Sequence, residues 1–207
     1  MPRKHRAKLE SSPEAEIEYL KRLFNESDRG FVILTASRLE DVIEKLHRTH
    51  IGCSAGATEK FMNSLFTVHA PISTFSAKMK LGFAYGLISQ DEFRDLEALR
   101  DLRNKAAHNI EEFAFGVPEI RAQIRALTTP KRIPADFPEM PLSEAERQAI
   151  ASLDPSETST KLYFLLTGVY LSIALMNRII RIQQKHMTKM ELDIAAVQRK
   201  FSSSHQS

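Results

Sequence analysis

Apolar side chains recur every three or four residues along most of this chain, and runs that alternate residue by residue are absent. From Phe31 through Leu34 or Thr35, Leu39, Val42 or Ile43 to Leu46, the spacing predicts a long amphipathic helix. Ser27 or Asp28 caps it, and it reaches about His50. Before it, Pro13 suits the first turn of a short helix ending at Phe24. After it, Gly52 to Gly56 reads as a break, and a short helix follows from about Thr58 to Phe66. Beyond a loop at 68–74 containing Pro71, a helix from about Phe75 to Tyr85 stops at Gly86. Ser89-Gln90-Asp91-Glu92 is a capping box, in which hydroxyl and carboxylate satisfy free amides at a helix start. The helix it opens carries Phe93, Leu96, Leu99, Leu102 and Ala106 and ends near His108. Another short helix follows Pro118.

Pro130, Pro134, Pro138 and Pro141 mark an extended linker, because each removes a donor and biases its predecessor away from helix. Ser143-Glu144-Ala145-Glu146 is a second capping box, and the last helix is expected from about Glu157 to His186. Its most apolar stretch, Leu162 to Met176, has 15 residues and includes Thr167, Gly168 and Ser172. A membrane span needs roughly 20, so the stretch reads as a buried core helix. No apolar segment follows the basic start as a signal peptide would require. These features predict a cytoplasmic, all-α, single-domain bundle of about seven to eight helices over residues 13–199. The linker at 130–142 precedes the long C-terminal helix, and disordered tails are expected at 1–12 and 200–207.

Composition sharpens this picture in two places. Cys53 is the single cysteine of 207 residues, which excludes a disulfide framework and a Cys-rich metal site. It reads as a partly exposed loop thiol. His47 and His50 lie near it, but no second Cys and no acidic ligand stand at zinc spacing, so no metal or cofactor is expected. The formal charge of +3 comes from the N-terminus: Arg3, Lys4, Arg6 and Lys8 fall in the first eight residues, which hold no acid. The remaining 25 of the 29 Lys and Arg stand against 26 Asp and Glu. Those four residues are the candidates for sequence-independent nucleic-acid contact, although a solvated tail is the commoner use of such a run.

The run Arg103-Asn104-Lys105-Ala106-Ala107-His108 is the chief candidate for chemistry. With Leu99 at the centre of the apolar face, Arg103 lies about 40° off centre and His108 nearly opposite, at 100° per residue. Arg103 therefore leans inward, and a half-buried guanidinium needs acceptors. Glu40, Asp41 and Glu44 are the expected partners in a structural clamp. The chemical alternative has Arg103, Asn104 and His108 converge on a groove at a dimer seam. Lys78 and Lys80 with His69 could form an anion site, but a solvated helix face accounts for them more simply. Tyr163, Phe164, Tyr170 and Met176 fall at helical spacing and read as core rather than as a pocket.

Two blocks carry a resemblance. Glu26-Ser27-Asp28-Arg29-Gly30-Phe31-Val32-Ile33-Leu34 continues through Leu39-Glu40 to Leu46. The second block starts at Pro71 and passes through Ser73-Thr74-Phe75-Ser76-Ala77-Lys78 and Gly86-Leu87-Ile88 to Arg100-Asp101-Leu102-Arg103-Asn104 and Ala107-His108. Together, over residues 26–108, they resemble the mannitol operon repressor family. The resemblance implies a small helical cytoplasmic protein of bacterial transcriptional repression. It implies no recognised DNA-reading motif, and the chain shows no helix-turn-helix with a basic recognition helix. Separately, Arg103 and His108 resemble the strip of the HEPN ribonuclease superfamily, in which two protomers act on RNA without metal. By that resemblance Arg103 would stabilise developing phosphate charge and His108 would move protons, with Asn104 beside them.

The sequence thus predicts first a non-enzymatic, homodimeric negative regulator working through a protein partner or DNA. The alternative is a metal-independent endoribonuclease acting on RNA, toxin-like or defensive. A third option is a helical interaction module with neither activity. No membrane association is expected under any of them.

Overall fold

The computed structural model describes residues 13–108, 113–129 and 155–204. Seven helices and no strand are found among them: α1 (Pro13–Phe24), α2 (Asp28–Ala55), α3 (Glu59–Phe66), α4 (Phe75–Ala84), α5 (Gln90–His108), α6 (Pro118–Arg125) and α7 (Pro155–Ser204). The all-α expectation is met. The basic tail at 1–12, the Pro-rich linker, the second capping box and residues 205–207 lie outside the described residues.

α2 is the axis of the bundle, and α1, α4, α5 and α7 all pack on it. Its buried face runs through Phe31, Val32, Thr35, Leu39, Val42, Ile43 and Leu46, with Thr35 rather than Leu34 in the ambiguous slot. Ser27 caps it by accepting from the Gly30 amide at 3.1 Å. The helix does not break at Gly52. It continues to Ala55 and stops at Gly56, whose φ of 59° is the left-handed turn that glycine adopts without strain. Cys53 consequently sits half-buried in the last turn of a helix, not in a loop.

At one end of α2, Phe31, Phe115 and Phe164 form a triangle with ring centroids 5.8–5.9 Å apart. It ties α2, the segment before α6 and α7 together through edge and tilted ring contacts. Asp28 fixes the same corner by accepting from the Phe115 amide at 2.8 Å. Asp95 on α5 holds residues 128–129 by accepting from both backbone amides and both threonine hydroxyls. A buried carboxylate with four such donors needs no cation nearby. α7 crosses α2 closely at Gly168, where an added Cβ would meet Thr35 Cγ2 at 2.6 Å.

α7 departs most from expectation. It runs well past His186, and its backbone is helical to Ser204, where a frayed end had been expected from about Arg199. The helix thus offers more length than the 15-residue stretch that argued against a membrane span. Residues 160–195 are long and apolar enough to cross a membrane by length and composition. Against that, Phe164, Thr167, Leu171, Leu175 and Ile179 are buried within the bundle, as a core helix requires.

Candidate functional site

The most concentrated buried charge lies between α2 and α4. Lys78 is 1% exposed, and its Nζ reaches Glu40 Oε1 at 2.8 Å and Glu44 Oε2 at 2.9 Å. Glu44 also accepts from Arg48 Nε at 3.1 Å, one turn further along α2. Arg48 continues outward to Asn63 Oδ1 at 3.1 Å and lies over the Phe66 ring at 5.0 Å, so the network joins α2, α3 and α4. His47, fully buried, brings Nε2 to 2.8 Å from the Lys78 carbonyl oxygen and stacks on Phe66. The carbonyl can only accept, so Nε2 carries the proton and donates. Among the described residues, buried Nδ1 has no hydrogen-bond partner. Burial pushes the His47 pKa below its ordinary 6.5, helped by the positive Lys78 and by His50, while the Lys78 carbonyl and Glu44 oppose the shift.

Sequence reasoning placed Lys78 on a solvated face, and the structure corrects this. The signal was available, because Phe75, Lys78, Met79 and Gly82 fall at i, i+3, i+4 and i+7, and all four are buried. Glycine at 82 lets α4 approach, since a Cβ there would meet Ile88 Cδ1 at 2.5 Å and His47 Nε2 at 3.5 Å. Lys80 is exposed as expected, and His69 stands on its loop with φ 69°. With Lys78 committed to two carboxylates, the three residues do not assemble an anion site.

The Arg103 strip lies on α5. Leu96, Leu99, Leu102 and Ala106 are fully buried, Arg103 and Asn104 are half-buried, and His108 is exposed. The inward lean of Arg103 is thus observed, but two of its three expected partners, Glu40 and Glu44, are engaged elsewhere. Glu40 and Glu44 belong to Lys78, and Arg103 donates from Nη1 to Asn104 Oδ1 at 3.1 Å. Arg100 pairs with Asp101 at 2.8 Å and donates to Ser76 at 3.2 Å. Within one chain, the 100° turn per residue sets Arg103 and His108 about 140° apart, on different faces.

A second ionic link went unread in the sequence. Arg178 on α7 donates to Glu92 Oε1 at 2.9 Å, while the other Glu92 oxygen closes the capping box with the Ser89 amide and hydroxyl. Burial alone would raise the Glu92 pKa, but Arg178 and Ser89 outweigh it and hold the carboxyl below its ordinary 4.5. Tyr163 is half-buried and donates to the Leu127 carbonyl at 3.0 Å, and Phe164 is core, so these two serve packing rather than a pocket. Among the described residues, no group of three or more His, Cys, Asp or Glu side chains is placed to hold a metal ion.

These observations define a class: an all-α bundle around one central helix, whose buried charges join its helices to one another. The chain belongs to the mannitol repressor (MtlR) family, whose profile matches residues 17–198. In fold it is similar to a chain in the X-ray structure of the MtlR-HPr complex from Escherichia coli. The two are 23% identical with a TM-score of 0.52, over 81% of this chain and 97% of that one. No curated protein matches.

Proposed function

We propose that this protein is a cytoplasmic negative regulator of transcription in bacteria, acting through a protein partner of the HPr kind. The observation that carries this is the family match over residues 17–198, joined to a fold shared along 97% of a chain solved with HPr. The buried charges fit a scaffold role. Lys78, Glu44 and Glu92 tie helices to one another, and Asp95 ties α5 to residues 128–129. Deleting the gene and measuring transcripts of the organism's mannitol-uptake genes tests it. Those transcripts should rise on deletion and return to repressed levels on complementation. Unchanged transcripts under inducing and non-inducing conditions would contradict it.

One observation favours the ribonuclease alternative, with Arg103, Asn104 and His108 as its catalytic residues. Arg103 donates to the Asn104 amide oxygen, and His108 is exposed. A catalytic pair would then be completed by the strip of a second copy. RNA cleavage by wild type that is lost in folded His108→Ala would support it. Equal behaviour of the two proteins would exclude it.

A further inference from the structure

α7 carries two apolar stripes on different faces. Phe164, Leu171, Leu175 and Ile179 face the body and are buried. A second stripe, Ile173, Ile180, Met187 and Ile194, recurs at seven-residue intervals and is 44%, 46%, 61% and 54% exposed. Met176 and Met190 stand three residues after the first and third of these, which completes an a/d heptad pattern. Val197 and Phe201 occupy the next register positions in the sequence.

A straight helix drifts about 20° per heptad, so a strict seven-residue stripe stays in line only when another helix coils around it. Among the described residues Ile173, Ile180, Met187, Met190 and Ile194 stay exposed, while Met176 packs partly against the core. From Gln183 to Ile194 every side chain but His186 is exposed.

We propose that α7 pairs with α7 of a second copy, in parallel, along Ile173, Ile180, Met187 and Ile194. A second copy supplies the matching heptads in the matching register. Gln183 sets the direction, because it is the polar residue at the seam position between Met176 and Met190. In a parallel pair the two Gln183 amides meet and hydrogen-bond to each other. In an antiparallel pair each would be buried against an apolar side chain with its amide unsatisfied. His186 and Glu191 then occupy the flanking positions that approach each other across a parallel seam. A lipid occupant is disfavoured, because a span through this segment would bury Lys185, Lys189, Glu191 and Asp193. The proposal does not depend on HPr.

Light scattering and sedimentation equilibrium on the full-length protein test it. Wild type should have twice the 23.5 kDa chain mass. Ile180→Asp and Ile194→Asp should each weaken dimerisation on the order of a hundredfold, because both copies lose an apolar contact. Far-UV circular dichroism should not change, since both side chains are exposed in the single chain. In a Cys53→Ser background, Ile180→Cys should oxidise to a covalent dimer through like positions. A monomeric wild type, dimers undisturbed by both Asp variants, absence of the Ile180→Cys cross-link, or partition of wild type into phosphatidylcholine vesicles would each overturn the proposal.

Discussion

Replacing Lys78 with Met removes the cation of the α2–α4 network while keeping most of the side chain's apolar stem. The Lys78 side chain is 2% exposed, Glu44 8% and Glu40 24%, so the Lys78–Glu44 pair is shielded from water and the Lys78–Glu40 pair only partly. Removing one partner of a buried ion pair costs about 3–5 kcal/mol, because the other charge is left uncompensated. Two features pull the value toward the lower end. Glu44 keeps Arg48 at 3.1 Å, and water reaches Glu40. The expected loss is therefore about 3 kcal/mol, a large share of a stability near 5–15 kcal/mol. Urea unfolding followed by far-UV circular dichroism reads it as a lower midpoint at unchanged slope. Adding Glu40→Gln and Glu44→Gln should recover part of the loss, since the uncompensated carboxylates are gone. A Lys78→Met protein within about 1 kcal/mol of wild type would refute the reasoning, as would a triple variant no more stable than the single one.

Three further outcomes follow from the same structure. His47 is held below its ordinary pKa of 6.5, so its stabilising effect is present above 6.5 and is lost as pH falls through the folded-state value. Unfolding stability should decline below 6.5 by at most about 1.4 kcal/mol per pH unit from this residue, and His47→Gln should remove that slope in a denaturant–pH series. Gly168→Ala should cost about 1–3 kcal/mol by overpacking against Thr35, and pairing it with Thr35→Ser should restore part of it, both read by thermal unfolding. Arg103→Ala should cost about 1 kcal/mol or less, since its bond is to a neighbouring amide; loss of folding would show that Arg103 is a clamp after all.

The fold was largely legible because long amphipathic helices carry a strong period. The α5 core positions Leu96, Leu99, Leu102 and Ala106 are all buried as the spacing requires. Boundaries were weaker. Gly52 was tolerated inside α2, and the stop came at Gly56, where the backbone takes a positive φ. The end of α7 was misplaced because polar residues after Ile182 resemble a fraying end when the exposed heptad stripe is not followed. The partner of a buried charge was the least legible feature. Arg103 and Lys78 both sit near apolar faces, and only the packing of α4 on α2 decides which cation takes Glu40 and Glu44. Asp95 binding residues 128–129 and Glu92 binding Arg178 are contacts between residues far apart in sequence, which local spacing does not reveal.

Under the proposed function the protein works by binding a partner protein of the HPr kind. Titrating HPr into the purified full-length chain by isothermal calorimetry tests this most directly. Saturable HPr binding, unchanged by His108→Ala, is the expected result. No detectable HPr binding, together with RNA cleavage that disappears in His108→Ala, would contradict it.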